Sequence, residues 1–124
     1  MASRPQPSYY TPLPKGLTPE EMNVIQYHRN NLDTGQYATE ENGDLTTFRG
    51  MTMGDPGDVR ILPRYWHGAV LEPKTAYRMA GRSGIKFPSY PDADTALARE
   101  QFLHEVMKAD TQAYAKTRKK PDGK

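Results

Sequence analysis

The sequence contains no cysteine among its 124 residues. Disulfide bonds, thiolate metal sites and a cysteine nucleophile are therefore excluded. It also has no apolar run as long as a membrane-spanning helix requires. The first ten residues, MASRPQPSYY, lack the apolar segment of a secretory signal. These absences predict a protein that is made in the cytoplasm and has no membrane anchor.

Hydrophobic residues are also scarce and make up 35% of the chain, less than compact globular domains usually contain. A chain of 124 residues is long enough for one small domain and too short for two. We therefore expect one modest core, with long segments of the chain left to solvent or to partner proteins.

Residues 1–17 are predicted to form an extended arm. Five of the eleven prolines lie within the first 19 residues, and proline favours extended or polyproline II backbone. The arm also carries Tyr9, Tyr10 and Leu13. An arm with a preset backbone loses little entropy when it docks, so these three side chains are predicted contacts with a neighbouring protein. The alternative is a disordered leader without a partner.

A helix is predicted over residues 18–31. Thr18 is a good N-cap, Pro19 suits the first helical position, and Glu21 completes a capping box with Thr18. The apolar positions form a narrow stripe, which predicts a helix that lies on a surface or packs against a neighbouring chain.

The rest of the domain, up to residue 115, contains both strand and helix patterns. The predicted elements are a β-hairpin at 44–63 around the turn GDPGD, a short helix at 73–82, an extended connector at 85–91 and a long helix at 92–115. The predicted fold class is therefore α+β, with a β-hairpin packed by a short and a long C-terminal helix. The N-terminal helix and the Pro-rich arm precede these elements, and a basic tail at 116–124 follows them.

No motif for catalysis or metal binding is found. The three histidines, His28, His67 and His104, are far apart in sequence and form no H-x-x-x-H pair. The carboxylates are explained by loops and helix ends. No serine lies in a nucleophile elbow, and no Gly-rich phosphate loop is present. The sequence therefore predicts a non-enzymatic protein without catalytic, metal-binding or cofactor-binding residues.

The basic tail is a candidate contact with nucleic acid. The last nine residues, KTRKKPDGK, contain five Lys or Arg residues and one Asp, and such a charge excess attracts phosphates. The candidate residues are Lys116, Arg118, Lys119 and Lys120. The alternative is a solvated terminus.

A second group of basic residues is interleaved with aromatic ones, a pattern that can bind single strands. The group consists of Arg60, Arg64, Tyr65, Trp66, Tyr77, Arg78, Arg82 and Lys86. The preferred interpretation is that the aromatic side chains belong to the core and that the arginines are solvated, because no known nucleic-acid-binding motif accompanies them.

The order of motifs from residue 31 to residue 105 resembles a small module of tailed bacteriophages. The segments that carry the resemblance are NLD at 31–33, NGDLTTFR at 42–49, VRILP at 59–63, PKTAYRMAGRSG at 73–84, Phe87 and the helix at 96–105 with its LHE signature. Such modules occur as free-standing virion-associated proteins and beside peptidoglycan-cleaving domains in large virion proteins. The resemblance implies particle assembly and carries over no catalytic residue. The turn RYWHG and the linker FPSYPDAD depart from the module's pattern.

The resemblance implies a structural component of a phage particle, such as a minor head, neck or tail protein. Its expected partners are other virion proteins in a multi-copy symmetric assembly. Tyr65 and Trp66 are predicted contacts, and Trp66 either caps one edge of the core or fills a pocket on a neighbouring subunit. The alternatives are an accessory that is packaged and ejected with a peptidoglycan-degrading apparatus, and a small nucleic-acid-binding protein.

Overall fold

The structure, a computed structural model, describes residue 10 and residues 12–41 and 45–118. It has the α+β fold that the sequence predicted. The helices are α1 (Pro19–Asp33), α2 (Pro73–Ser83) and α3 (Ala93–Arg118). The strands are β1 (Ala38–Thr39), β2 (Leu45–Thr46), β3 (Gly50–Met53), β4 (Val59–Pro63), β5 (Tyr65–Trp66), β6 (Ala69–Val70) and β7 (Ser89–Tyr90).

A three-stranded antiparallel sheet in the order β3-β4-β7 is the largest sheet in the described part of the chain. The predicted hairpin supplies β3 and β4, which are joined by the turn GDPGD and paired from Gly50–Pro63 to Met53–Arg60. The connector at 85–91 also supplies a strand, β7, which pairs with β4. This third strand was not predicted. It is short because Pro88 and Pro91, on either side of it, have no N–H to donate.

The first strand of the predicted hairpin is interrupted. Leu45 and Thr46 pair with β1 and not with β4. Arg49 has a left-handed backbone (φ 52°), which ends the extended run before β3 begins. Two backbone carbonyls in this bend, those of Phe48 and Arg49, accept a hydrogen bond from the Arg64 N–H.

The capping box of α1 is confirmed: the Glu21 N–H donates to Thr18 Oγ1 (3.1 Å) and the Thr18 N–H donates to Glu21 Oε1 (3.0 Å). The predicted surface position of this helix is wrong. The buried residues of α1 are Glu21, Val24, Ile25, His28, Arg29, Asn31 and Leu32. The apolar stripe is narrow because more than half of this inward face is polar, and its polar groups are paired within the protein.

The core lies between α1, α3 and the central sheet. Val24 and Ile25 of α1 meet Ile61 and Leu62 of β4 and Leu103 of α3 in one buried apolar cluster. A second, smaller cluster of Tyr10, Leu32 and Tyr114 joins the ends of α1 and α3. None of the described helices has the length and apolar composition needed to cross a bilayer.

Candidate functional site

An open groove of about 550 Å³ lies between α3 and the chain that leads from β2 into β3. Its floor is apolar and belongs to the core of the protein. The floor residues are Val24, Phe48, Ile61 and Leu103. Polar side chains form both walls, so the groove offers apolar surface at its base and charge at its rim.

The α3 wall carries Glu100, His104, Lys108 and Gln112. These residues are spaced four apart, so they follow one another along one face of the helix. Glu100 is half-buried and the other three are exposed. This wall therefore presents an acid, an imidazole, an amine and an amide in a row.

The opposite wall is built by Glu40, Thr46 and Arg49. Glu40 accepts hydrogen bonds from the Thr46 hydroxyl and from the Arg49 guanidinium, which lies 3.3 Å from its carboxylate. The pairing fixes the three side chains relative to one another. The bend at Arg49 places this wall across from α3.

Gly50 allows Glu100 to lie close to the strand. A Cβ atom at position 50 would come within 2.5 Å of Glu100 Oε2, so any larger residue would displace that carboxylate. Burial raises the pKa of the Glu100 carboxyl, and the neighbouring His104 lowers it only in part. Glu100 therefore keeps its proton to a higher pH than an ordinary glutamate, and in that form it can donate a hydrogen bond.

His28 closes the inner end of the groove and is only 2% exposed. Its Nδ1 hydrogen-bonds to Thr47 Oγ1. Burial lowers the pKa of this imidazole to about 3, against the opposing effect of the Met107 backbone. His28 is therefore neutral at physiological pH and holds the segment after β2 against α1.

Two ion pairs, one buried and one partly buried, join α1 to α3 beside the groove. Arg29 donates to both oxygens of Asp110, at 2.7 and 2.9 Å. Arg99 donates to both oxygens of Glu21, at 2.7 and 2.8 Å, and the Tyr90 hydroxyl donates to the same carboxylate. The sequence assigned Glu21 only to the helix cap and its dipole, and gave no signal for either long-range pair.

The Glu21 carboxylate is fully buried yet ionised. Burial alone would raise its pKa, but the hydrogen bonds from Arg99, Tyr90 and the Thr18 backbone outweigh burial and lower the pKa to about 2. Such paired charges stabilise one arrangement of the helices, because either group left alone would carry a large desolvation cost. The α3 wall of the groove is thus fixed relative to α1.

The predicted arm contacts lie partly within the described residues. Tyr10 is buried: its hydroxyl donates to Asp33 (2.8 Å), and the Arg29 guanidinium lies 4.6 Å from the centre of its ring. Leu13 is half-buried against the main core cluster. Both residues therefore dock on their own chain, and the prediction that they anchor a neighbour does not follow from this fold. Tyr9 lies outside the described residues.

Tyr65 and Trp66 are also buried, with 1% and 6% of their surface exposed. The Trp66 indole N–H donates to the Pro63 carbonyl (2.8 Å), and its ring meets the edge of Tyr27. Of the two interpretations of Trp66, the structure supports the one in which it caps the core. The sequence predicted that Tyr65 and Trp66 contact a neighbouring protein. Such a contact would require exposed side-chain surface, and the fold covers both side chains.

The two groups of basic residues differ in what the structure shows of them. In the tail, Lys116 is exposed near the end of α3; the side chain of Arg118 is not described, and Lys119 and Lys120 lie outside the described residues. In the second group, Arg60 pairs with Asp58 and Arg64 donates to the Leu71 carbonyl. Five members of that group are exposed: Arg60, Tyr77, Arg78, Arg82 and Lys86.

Within the described residues, no three His, Asp or Glu side chains come together in a group that could hold a metal ion. Comparison with known proteins finds no matching family model, no matching curated protein and no matching solved structure. The fold thus defines a small α+β domain with an open, charged-walled groove. The likeness to a phage module stays a prediction from the sequence.

Proposed function

We propose that the protein is a non-enzymatic structural component of a tailed phage particle, a minor head, neck or tail protein. It is made in the host cytoplasm and resides in the virion. In this proposal a segment of a neighbouring virion protein lies in the groove between α3 and residues 45–50. The observation that carries the proposal is an apolar floor between two charged walls, one of which lies on a helix, α3, that ion pairs hold against α1.

The dimensions of the groove fit an extended peptide. Its α3 wall runs from Glu100 to Gln112, which corresponds to about 18 Å of helix. An extended segment of roughly five or six residues has the same length. The apolar floor would supply buried area, and the walls would select the register of the peptide through their charges.

The fixed position of α3 favours such binding. A groove whose backbone is already in place loses less conformational entropy when a partner enters it than one that must first form. Tyr10 and Leu13 add to this rigidity by packing the chain that precedes α1 onto α1, α3 and the main core cluster. Tyr9, which lies outside the described residues, is retained as a second proposed contact with a neighbour.

The experiment places a bulky side chain at the groove and measures the number of copies of the protein per particle. Gln112→Trp places an indole at the exposed end of the α3 wall, and Gln101→Trp places one on the same helix at an exposed residue that does not line the groove. Each variant is supplied in trans to a phage that lacks the gene. The copy number per particle is then measured by quantitative mass spectrometry.

We expect at least a tenfold loss of incorporation for Gln112→Trp and wild-type incorporation for Gln101→Trp. Thermal melting of both purified variants must match the wild type. Equal incorporation of the two variants would contradict binding in the groove. If the protein is present in full particles but absent from particles that have released their DNA, the ejected-accessory alternative replaces the structural one.

A further inference from the structure

We propose that the outer face of α2 binds the phosphate backbone of duplex DNA. This surface, the α2 basic stripe, consists of Lys74, Arg78 and Arg82 on the helix and Lys86 just after it. The inference concerns a surface separate from the groove and does not rest on the proposed function.

The three helical members of the stripe share one face. They are four residues apart, so they rise by about 6 Å per step and fall within about 80° around the helix axis. Ala76 and Ala80, the buried residues of α2, lie on the opposite side. The helix therefore packs against the protein through its small residues and presents its cations to solvent.

All four side chains of the stripe are exposed, and none of them forms an ion pair with another described residue. This sets them apart from Arg29, Arg49, Arg60 and Arg99, each of which has a carboxylate partner. Residues 73–91 contain four of the 17 basic residues and none of the 15 acidic ones. The remainder of the chain, with 13 basic and 15 acidic residues, has a net charge of −2. Residues 73–91 thus carry a net charge of +4, as does the basic tail at 116–124.

The stripe is held in a defined shape. Pro73 occupies the first turn of α2, and Gly84, with φ of 78°, ends the helix in the left-handed conformation that glycine favours. The Lys86 carbonyl accepts a hydrogen bond from the Asn23 amide of α1 (2.8 Å). Lys86 therefore continues from α2 at a fixed position.

Spacing and chemistry both favour a nucleic-acid backbone. One DNA strand carries a phosphate about every 3.4 Å along the helix axis, so the roughly 12 Å between Lys74 and Arg82 faces three or four phosphates. Arg78 and Arg82 can each bind a phosphate through two parallel N–H bonds. The half-exposed Tyr77 ring lies beside the stripe and adds a hydroxyl donor.

An anionic membrane fits this surface less well. A helix that binds in the membrane interface inserts an apolar face among the lipids. The apolar face of α2 is already packed against the protein, where Ala76 and Ala80 are buried in the main core cluster. Apart from the Tyr77 ring, the exposed part of α2 carries mainly charged and polar side chains, and it has no apolar stripe to insert.

The test measures binding of the full chain to a fluorescein-labelled 20-base-pair duplex by fluorescence anisotropy between 50 and 200 mM KCl. Neutralising four phosphates predicts that log K falls with log[salt] with a slope of about −3.6, or about 150-fold weaker binding over this range. For Arg78→Gln/Arg82→Gln we expect a slope of about −1.8 and only about a 12-fold change. Lys15→Glu lowers the net charge by the same two units at an exposed position outside both the stripe and the groove, and it should leave the slope unchanged.

Amide NMR spectra show whether each variant is folded and whether DNA shifts residues 74–86 of the wild type. The proposal is overturned if the wild type does not bind at 50 mM KCl, or if Arg78→Gln/Arg82→Gln and Lys15→Glu reduce the slope equally. Loss of binding only on removal of residues 119–124 would assign the contact to the tail and overturn it as well. So would equal or tighter binding to vesicles containing 30% phosphatidylserine.

Discussion

His28 and Glu21 are single residues that place titratable groups inside a small core, and they do so in opposite charge states. His28 is buried neutral, beside Thr47. Glu21 is buried as an anion, held by Arg99, Tyr90 and the Thr18 backbone. Both have a pKa below its usual value, so both make the folded state sensitive to acid, in different pH ranges.

We expect the free energy of unfolding to fall as the pH drops below 6.5, because the unfolded chain then binds a proton at His28 that the folded chain, with a pKa of about 3, does not bind. Between pH 6.5 and pH 5 the loss amounts to about 2 kcal/mol. Urea unfolding of the wild type and His28→Gln at several pH values measures it. The difference in unfolding free energy between the two proteins should change across this range.

The contribution of Glu21 belongs to a lower range. Its folded pKa of about 2 lies below the ordinary 4.5, so its stabilisation is complete above pH 4.5 and is lost as the pH falls towards 2. The two effects can therefore be separated. A difference between wild type and His28→Gln that stays constant from pH 6.5 to 5 would show that His28 is not buried neutral.

At the scale of elements, the sequence predicts the features that depend on neighbouring residues, but it does not predict the pairing of the short strands. The capping box of α1 and the turn GDPGD depend on residues a few positions apart, so the sequence contains all that fixes them. The strands β1, β5, β6 and β7 have two residues each, too few for an alternating pattern. Their partners are set by the packing of the core and not by their own sequence.

Two glycines in these elements should respond oppositely to alanine. At Gly81, inside α2, an added Cβ meets no atom within 4 Å, so Gly81→Ala should stabilise by about 0.5–1 kcal/mol through helix propensity. At Gly54, where φ is 131°, the Cβ would come within 2.1 Å of the Asp58 carbonyl oxygen. Gly54→Ala should therefore destabilise the hairpin.

Thermal melting and urea unfolding of the two variants measure the change. Gly57→Ala is a matched control for Gly54→Ala, because Gly57 also has a positive φ (95°) but open space around its Cβ. It isolates the cost of the backbone conformation from that of the clash. Equal destabilisation of Gly54→Ala and Gly57→Ala would argue against a close contact at Asp58.

At the scale of the whole molecule, the candidate site depends on long-range contacts that no local sequence pattern predicts. Lys108 and Gln112 could be assigned to one face of a helix from their spacing, but the bend at Arg49 that forms the opposite wall could not. Arg29 and Asp110 are 81 residues apart. Each is an ordinary charged residue until the fold brings them together.

We expect Asp110→Ala to destabilise the protein by about 3–5 kcal/mol, because it leaves the Arg29 guanidinium buried without its carboxylate. The double variant Arg29→Met/Asp110→Leu should regain most of this loss, since it removes both charges. Urea unfolding of the single and double variants measures the coupling. A loss below about 1 kcal/mol for Asp110→Ala would mean that the pair does not hold α1 against α3.

The two ion pairs between α1 and α3 also bear on how the chain is made. The partners of Glu21 and Arg29 follow them by 78 and 81 residues. At ordinary elongation rates of 5–20 residues per second, this separation takes about 4–16 s to synthesise. During that interval the charges of Glu21 and Arg29 have no counterions and cannot be buried at low cost. The nascent domain therefore cannot close until α3 has left the ribosome. If synthesis stops before α3 is made, the incomplete chain lacks the partners of Glu21 and Arg29 and stays open. Chaperones and proteases can recognise such a chain by its exposed core residues.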